Sequence, residues 1–311
     1  MSAAAVACSL APAYAYAPHP LICRSKAVLF ATDALPSDVE LLHHHGSPPL
    51  FTQVISDVDD TIKSSGGVNV AGVALGGIDV QYKRGEIYPG VTEFYLQLSL
   101  GLGGMAVIDR RPPAKVAILT ARAEEFKAAL QFKDSHPVAV AFRKTGEGAG
   151  VTNWGLGPTL YGSVAEWIVQ DRKGLRKFSN FERLLEQDPT GRIFQYIYVG
   201  DTGELDQEAG ETMLREYPQL VKAVFLHVVS DTPGPVDFIP PPKLINGRPI
   251  IFFRTYVGAA IAAVQLDFIS VQGLERVIQA AKEQLQGVPQ SSSKWQDLNR
   301  DIERARKYIL Q

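Results

Sequence analysis

From about residue 50 onward, short apolar runs alternate with stretches of helical periodicity, and this alternation narrows the possible folds more than any other feature. Leu50–Ser56, Val116–Thr120, Val138–Phe142, Tyr196–Val199 and Val221–Val229 are largely apolar or β-branched and read as strands. Val91–Leu100, Ala123–Phe132, Phe178–Glu186 and Asp206–Glu216 carry the helical pattern. Strands that are apolar on both faces need cover on both faces, and helices between them in sequence supply it. The pattern predicts an α/β fold with a Rossmann-like, mostly parallel sheet. Ligands of such sheets lie beyond the carboxyl ends of the strands.

Two inserts interrupt the alternation. Gly66–Gly90 is rich in glycine and reads as a hairpin flap; Lys144–Gly162 reads as a long loop carrying Trp154 and Tyr161, aromatics that could touch a bilayer interface, although a loop aromatic more often packs on its own domain. Pro233, Pro235, Pro240, Pro241 and Pro242 mark a stiff connection over residues 233–250, able to bind partner domains. A C-terminal helical extension packed on the core, residues 251–311, follows with helices at Gly273–Leu285 and Ser293–Ile309. The main α/β domain then spans residues 49–232.

Residues 1–48 read as a leader or disordered N-terminus. Its first 32 residues lack acids and are alanine-rich, which fits an organelle transit peptide; a cytoplasmic protein peripheral to membranes is the alternative. Both cysteines, Cys8 and Cys23, lie there, so a disulfide framework or thiolate chemistry is excluded for the rest. The formal net charge of -2 gives no reason to expect a nucleic-acid partner. The most apolar stretch, Pro249–Val271, is broken by Arg254 and Asp267, so no transmembrane segment is expected.

The chemistry concentrates at strand ends. The first strand runs into Asp57-Val58-Asp59-Asp60-Thr61, where three carboxylates repel one another unless a divalent cation joins them. A structural alternative is that Asp60 or Thr61 caps a following helix. A second apolar strand also ends in acids, Gly200-Asp201-Thr202-Gly203-Glu204-Leu205-Asp206, with Gly200 allowing a sharp turn. In a parallel sheet Asp57 and Asp201 emerge on the same edge. Thr120 ends a third strand and can hold an anion with nearby amides. Lys177, before the Phe178–Glu186 helix, can supply fixed positive charge. Arg172, Lys173 and Arg176 read as a solvated face, with Lys173 the closest rival to Lys177. His136 and His227 read as structural or surface residues.

Asp57–Thr61, Ala117–Thr120, Lys177 and Gly200–Asp206, in that order, resemble the four motifs of haloacid dehalogenase superfamily phosphatases over residues 51–232. That resemblance implies a Mg²⁺-dependent phosphatase. Asp57 would be the nucleophile, Asp59 the acid and base, and Thr120 and Lys177 the phosphate ligands. Asp57, the Asp59 carbonyl, Asp201 and Asp206 would hold the metal. Ser56–Lys63, Tyr88–Val91, Gly200–Glu204 and Phe252–Val257 are similar to the catalytic domain of the actin-patch phosphatidate phosphatase family. Where that family has Ser-Ser-Pro-Trp, this chain has Thr120-Ala121-Arg122. The resemblance implies phosphatidate or a related lipid phosphate at a membrane surface as substrate. A phosphatase of a protein or soluble phosphoester, and a non-enzymatic adaptor, are the competing readings.

Overall fold

A computed structural model describes residues 51–67, 69–70, 73–74, 78–104, 113–123, 134–162, 173–203 and 205–310. The leader, and the helix expected at Ala123–Phe132 beyond its first residue, lie outside them.

Nine strands are described: β1 Phe51–Ser56, β2 Asn69–Val70, β3 Val73–Ala74, β4 Val116–Ala123, β5 Leu156–Gly162, β6 Ile193–Asp201, β7 Val221–His227, β8 Lys243–Ile245 and β9 Arg248–Phe253. Seven form one sheet in the order β5-β4-β1-β6-β7-β9-β8, and β2 with β3 makes a separate small hairpin. Every pairing in the large sheet is parallel except β8 with β9. Side chains alternate between its two faces, as a pleated strand requires. Val54, Ile197, Val199, Ala223, Phe225, Ile251 and Phe253 enter one core, while Ile55, Tyr196, Tyr198, Val224, Leu226, Ile250 and Phe252 enter the other.

Seven helices are described and divide between these faces. α1 Val91–Leu100, α2 Pro137–Gly148, α5 Tyr256–Gln265, α6 Val271–Gln284 and α7 Ser293–Ile309 pack on the first. α3 Lys173–Glu186 and α4 Asp206–Glu216 cover the second. The C-terminal helices therefore supply much of the cover of one sheet face. Strand β8 and the start of β9 fall within 233–250, so the stretch expected to be a connection also builds the sheet.

Two local expectations are corrected, and one left open is decided. Val138–Phe142 is helix, not strand: Pro137 occupies the first turn and the His136 ring accepts from the Val138 amide at 3.2 Å. Val138, Phe142 and Gly146, spaced by four, then share the buried side. The strand lies instead at Leu156–Gly162, inside the expected loop. Trp154 and Tyr161 are buried, and Trp154 Nε1 donates to the Ala114 carbonyl at 3.1 Å, so neither is offered to a membrane.

Candidate metal and phosphoryl site

β1 and β6 are direct neighbours, with Ser56 in register with Val199, and the Asp57 amide donates to the Val199 carbonyl at 3.1 Å. That pairing delivers Asp57 and Asp201 to one sheet edge. Asp206 opens α4, and its Oδ2 accepts from the Asp201 amide at 3.1 Å. Asp57, Asp201 and Asp206 are all buried, and each offers a carboxylate oxygen within 4.8 Å of the others. Gly200 serves this approach in a way the sequence did not suggest. It lies within β6, and a Cβ there would sit 2.6 Å from Asp206 Oδ2. The glycine makes room for Asp206; it is not the corner of a turn.

Lys177 lies in the first turns of α3, 2 % exposed, with its Nζ 3.1 Å from Asp57 Oδ1 and paired with Asp206 Oδ1. Lys173 is the first residue of the same helix, a full turn earlier. Arg176 is buried too, which corrects its assignment to a solvated face. Thr120 is buried, but β4 continues past it to Ala123, with a register shift against β5 between Leu119 and Ala123. Ser56 pairs with Ile118, so Thr120 lies two residues further along, beside the β1 tip. Its carbonyl accepts from Asn180 Nδ2 at 3.4 Å. The Asp59 carboxylate stands outside the three-acid group and pairs with Lys63.

The donor set fits a hard divalent cation. Three buried carboxylates converge on a region where Lys177 is bonded to two of them. Oxygen ligands at such a spot suit Mg²⁺, and a divalent ion offsets the mutual repulsion.

A second buried constellation backs the Asp57–Lys63 turn. Asp60 has φ 55 and caps no helix. Its carboxylate accepts from the amides of Ser65 (2.7 Å), Ile78 (2.6 Å) and Asp79 (3.1 Å), and from Ser65 Oγ (2.9 Å). Burial raises its pKa despite these donors. Burial also acts to raise Asp79, but the Arg254 guanidinium, donating at 3.2 and 3.1 Å, overrides it and holds the carboxyl below its usual range. Arg254 further contacts Asp297 of α7 at 3.5 Å.

His227, paired with Asp201 across β6 and β7, is 1 % exposed. Burial first, then Arg254, pushes its pKa down to about 4, so the ring is neutral. Nδ1 lies 2.7 Å from the Asp60 carbonyl and Nε2 lies 3.0 Å from that of Arg254. Arg254 Nη1 lies 3.4 Å from Nε2, and a neutral ring donates to one of the two carbonyls. Tyr256 Oη donates to the Thr61 carbonyl at 2.6 Å.

The sequence did not mark Asp79, Arg254 or Tyr88, whose hydroxyl donates to Asp60 and Asp79 at 3.3 and 2.8 Å, as partners of the site, and Asp60 was expected either in the cation-binding carboxylate cluster or as a helix cap. One signal was available: Arg254 is the single charge in the apolar stretch Pro249–Val257, and a buried cation demands an acid. Comparison of the chain with protein-family models, with curated proteins and with solved structures returns no match. What fold and site together define is an α/β protein with a buried three-carboxylate cluster at the carboxyl edge of its parallel sheet.

Proposed function

We propose that the chain is a Mg²⁺-dependent phosphoric monoester hydrolase working through an aspartyl phosphate on Asp57, with phosphatidate or a related lipid phosphate as substrate. One observation carries the reading: Asp57 and Asp201, at the tips of neighbouring parallel strands, converge with Asp206 at the start of α4, and Lys177 is bonded to Asp57 and Asp206.

In this reading Asp57 forms a bond to phosphorus as the bond to the leaving oxygen breaks, and Asp59 gives that oxygen its proton. Asp59 then takes a proton from the water that cleaves the aspartyl phosphate, releasing inorganic phosphate and restoring Asp57. Lys177 balances charge on the transferred group, and Thr120 helps hold its oxygens. Asp57, Asp201, Asp206 and the Asp59 carbonyl would hold Mg²⁺, which supplies charge neutralisation and orientation when bound.

The lipid assignment has narrower support. It rests on the sequence around the motifs and on Lys83 and Arg84, exposed in the flap that pairs with Ser64. Cations placed there suit an anionic bilayer surface. Trp154 and Tyr161, being buried, contribute nothing to it. The test is a panel of phosphatidate vesicles and soluble phosphoesters, each with and without Mg²⁺. Mg²⁺-dependent phosphate release is expected, fastest from the vesicles. Release in excess chelator would count against the mechanism, and a preference for soluble esters would move the substrate class.

A further inference from the structure

We infer that Lys63 is a positioning residue for Asp59, fixing the carboxylate that handles protons during phosphoryl transfer; the inference rests on the phosphatase reading above. The turn after β1 holds the Lys63 backbone from several directions. Its amide donates to the Val58 carbonyl at 3.1 Å, and its carbonyl accepts from the Asp60 amide at 2.7 Å. Residues 59 and 63 face each other in a parallel bridge, and residue 63 bridges antiparallel to Ile87 of the flap. From that anchored position the ammonium pairs with Asp59 Oδ1.

The pair is four residues apart, a spacing that on an exposed helix contributes little. Here the residues lie on a bridged turn, and their side chains are only 15 % and 28 % exposed. Partial removal from water strengthens the attraction and narrows the range of positions Asp59 can take. That matters for a group with two tasks. It must meet a leaving oxygen in one step and a water in the next, and small displacements of a proton donor are costly to rate. Lys177 cannot fill this role, since its ammonium is bound to Asp57 and Asp206. Lys63 acts through Asp59 and forms no bond to phosphorus.

Leaving-group dependence tests this. An alkyl phosphate needs a proton delivered to its departing oxygen, whereas 4-nitrophenolate departs with little help. The kcat/KM of each is to be measured with Mg²⁺ for the wild-type chain, Lys63→Met, Lys63→Arg and Asp59→Asn. Lys63→Met should lose about tenfold more on butyl phosphate than on 4-nitrophenyl phosphate, a fraction of the full effect of a positioned acid. Lys63→Arg should recover most of that difference, and Asp59→Asn should show the same preference more strongly. Equal losses on both esters in Lys63→Met, beside a clear preference in Asp59→Asn, would overturn the inference and leave Asp59 in its role. No wild-type turnover of either ester or of phosphatidate vesicles would overturn the phosphatase reading and this inference with it.

Discussion

Two clusters of buried charge lie a few residues apart in this protein, and they differ in how their acids are placed. Around Asp60, Asp79 and Asp297, each carboxylate is met by fixed donors. Asp60 has backbone amides from the flap, Asp79 has the two-pronged guanidinium of Arg254, and Asp297 has Gln81, Arg254 and Arg300. Around Asp57, Asp201 and Asp206 there are donors as well, Lys177 to Asp57 and Asp206 and the Gly203 amide to Asp201 at 2.6 Å, but here the acids also converge on one another. Among the described residues they are the one group of three potential metal ligands whose atoms come within 4.8 Å. Buried charge that is paired and hydrogen-bonded holds structure together, whereas buried like charge brought together is tolerable when something binds it. The first cluster ties the flap and α7 to the Asp57–Lys63 turn. The second offers a ligand a place.

That contrast predicts opposite responses to substitution. The largest effect is expected for Asp57→Asn, which should lower turnover by about four orders of magnitude or more while the thermal midpoint of the metal-free chain holds or rises. A fall in stability matching the fall in turnover would mean that the two clusters do the same job. Next is Arg254→Met, which strands Asp79 without its cation. Removing one partner of a buried pair costs about 3–5 kcal/mol, so denaturant unfolding should show a loss of that order. An unchanged midpoint would break the distinction from the other side.

His227 sharpens the comparison through pH. Its folded pKa of about 4 lies below the ordinary 6.5, because burial, aided by Arg254 and partly opposed by Asp79, disfavours the imidazolium. The unfolded chain therefore binds the extra proton first, and stability falls as pH drops from about 6.5 towards 4. The shift corresponds to roughly 3 kcal/mol. His227→Gln should flatten the stability profile in that window. Asp79, whose pKa is lowered, adds a loss only at more acidic pH, as its own carboxylate is protonated. A slope in His227→Gln equal to that of the wild type would assign the dependence to other groups.

Much of the sheet was legible because doubly covered strands leave an unmistakable apolar run, as in Tyr196–Val199 and Val221–His227. Val138–Phe142 misled because a short apolar run has no period of its own, and the helix signals at His136 and Pro137 had to decide it. Strand β5 was hidden by Gly157, Pro158 and Gly162, residues a strand tolerates at the sheet edge where β5 lies. Helix α5 is buried on nearly every side, so it carries no amphipathic pattern, and only its Thr255 cap, accepting from the Gly258 amide at 3.1 Å, marks its start.

The acidic cluster was legible for a related reason. Asp57, Asp201 and Asp206 each sit at a recognisable strand or helix end. The supporting constellation was not, since Asp79 and Arg254 meet across 175 positions and no local pattern encodes their pairing. The surface strip assigned to the basic residues near Lys177 failed at Arg176, because helical phase could not be set without knowing where α3 begins.

The cation site is the central claim, and thermal unfolding of the full chain with and without Mg²⁺ tests it most directly, in the wild type and in Asp201→Asn. At about 100 times the dissociation constant, a ligand that binds only the folded state stabilises it by about 2.7 kcal/mol. The wild-type midpoint should rise by several degrees with Mg²⁺, and the Asp201→Asn midpoint should not move. A wild-type midpoint indifferent to Mg²⁺, or an equal rise in both proteins, would contradict the assignment of Asp57, Asp201 and Asp206 as metal ligands.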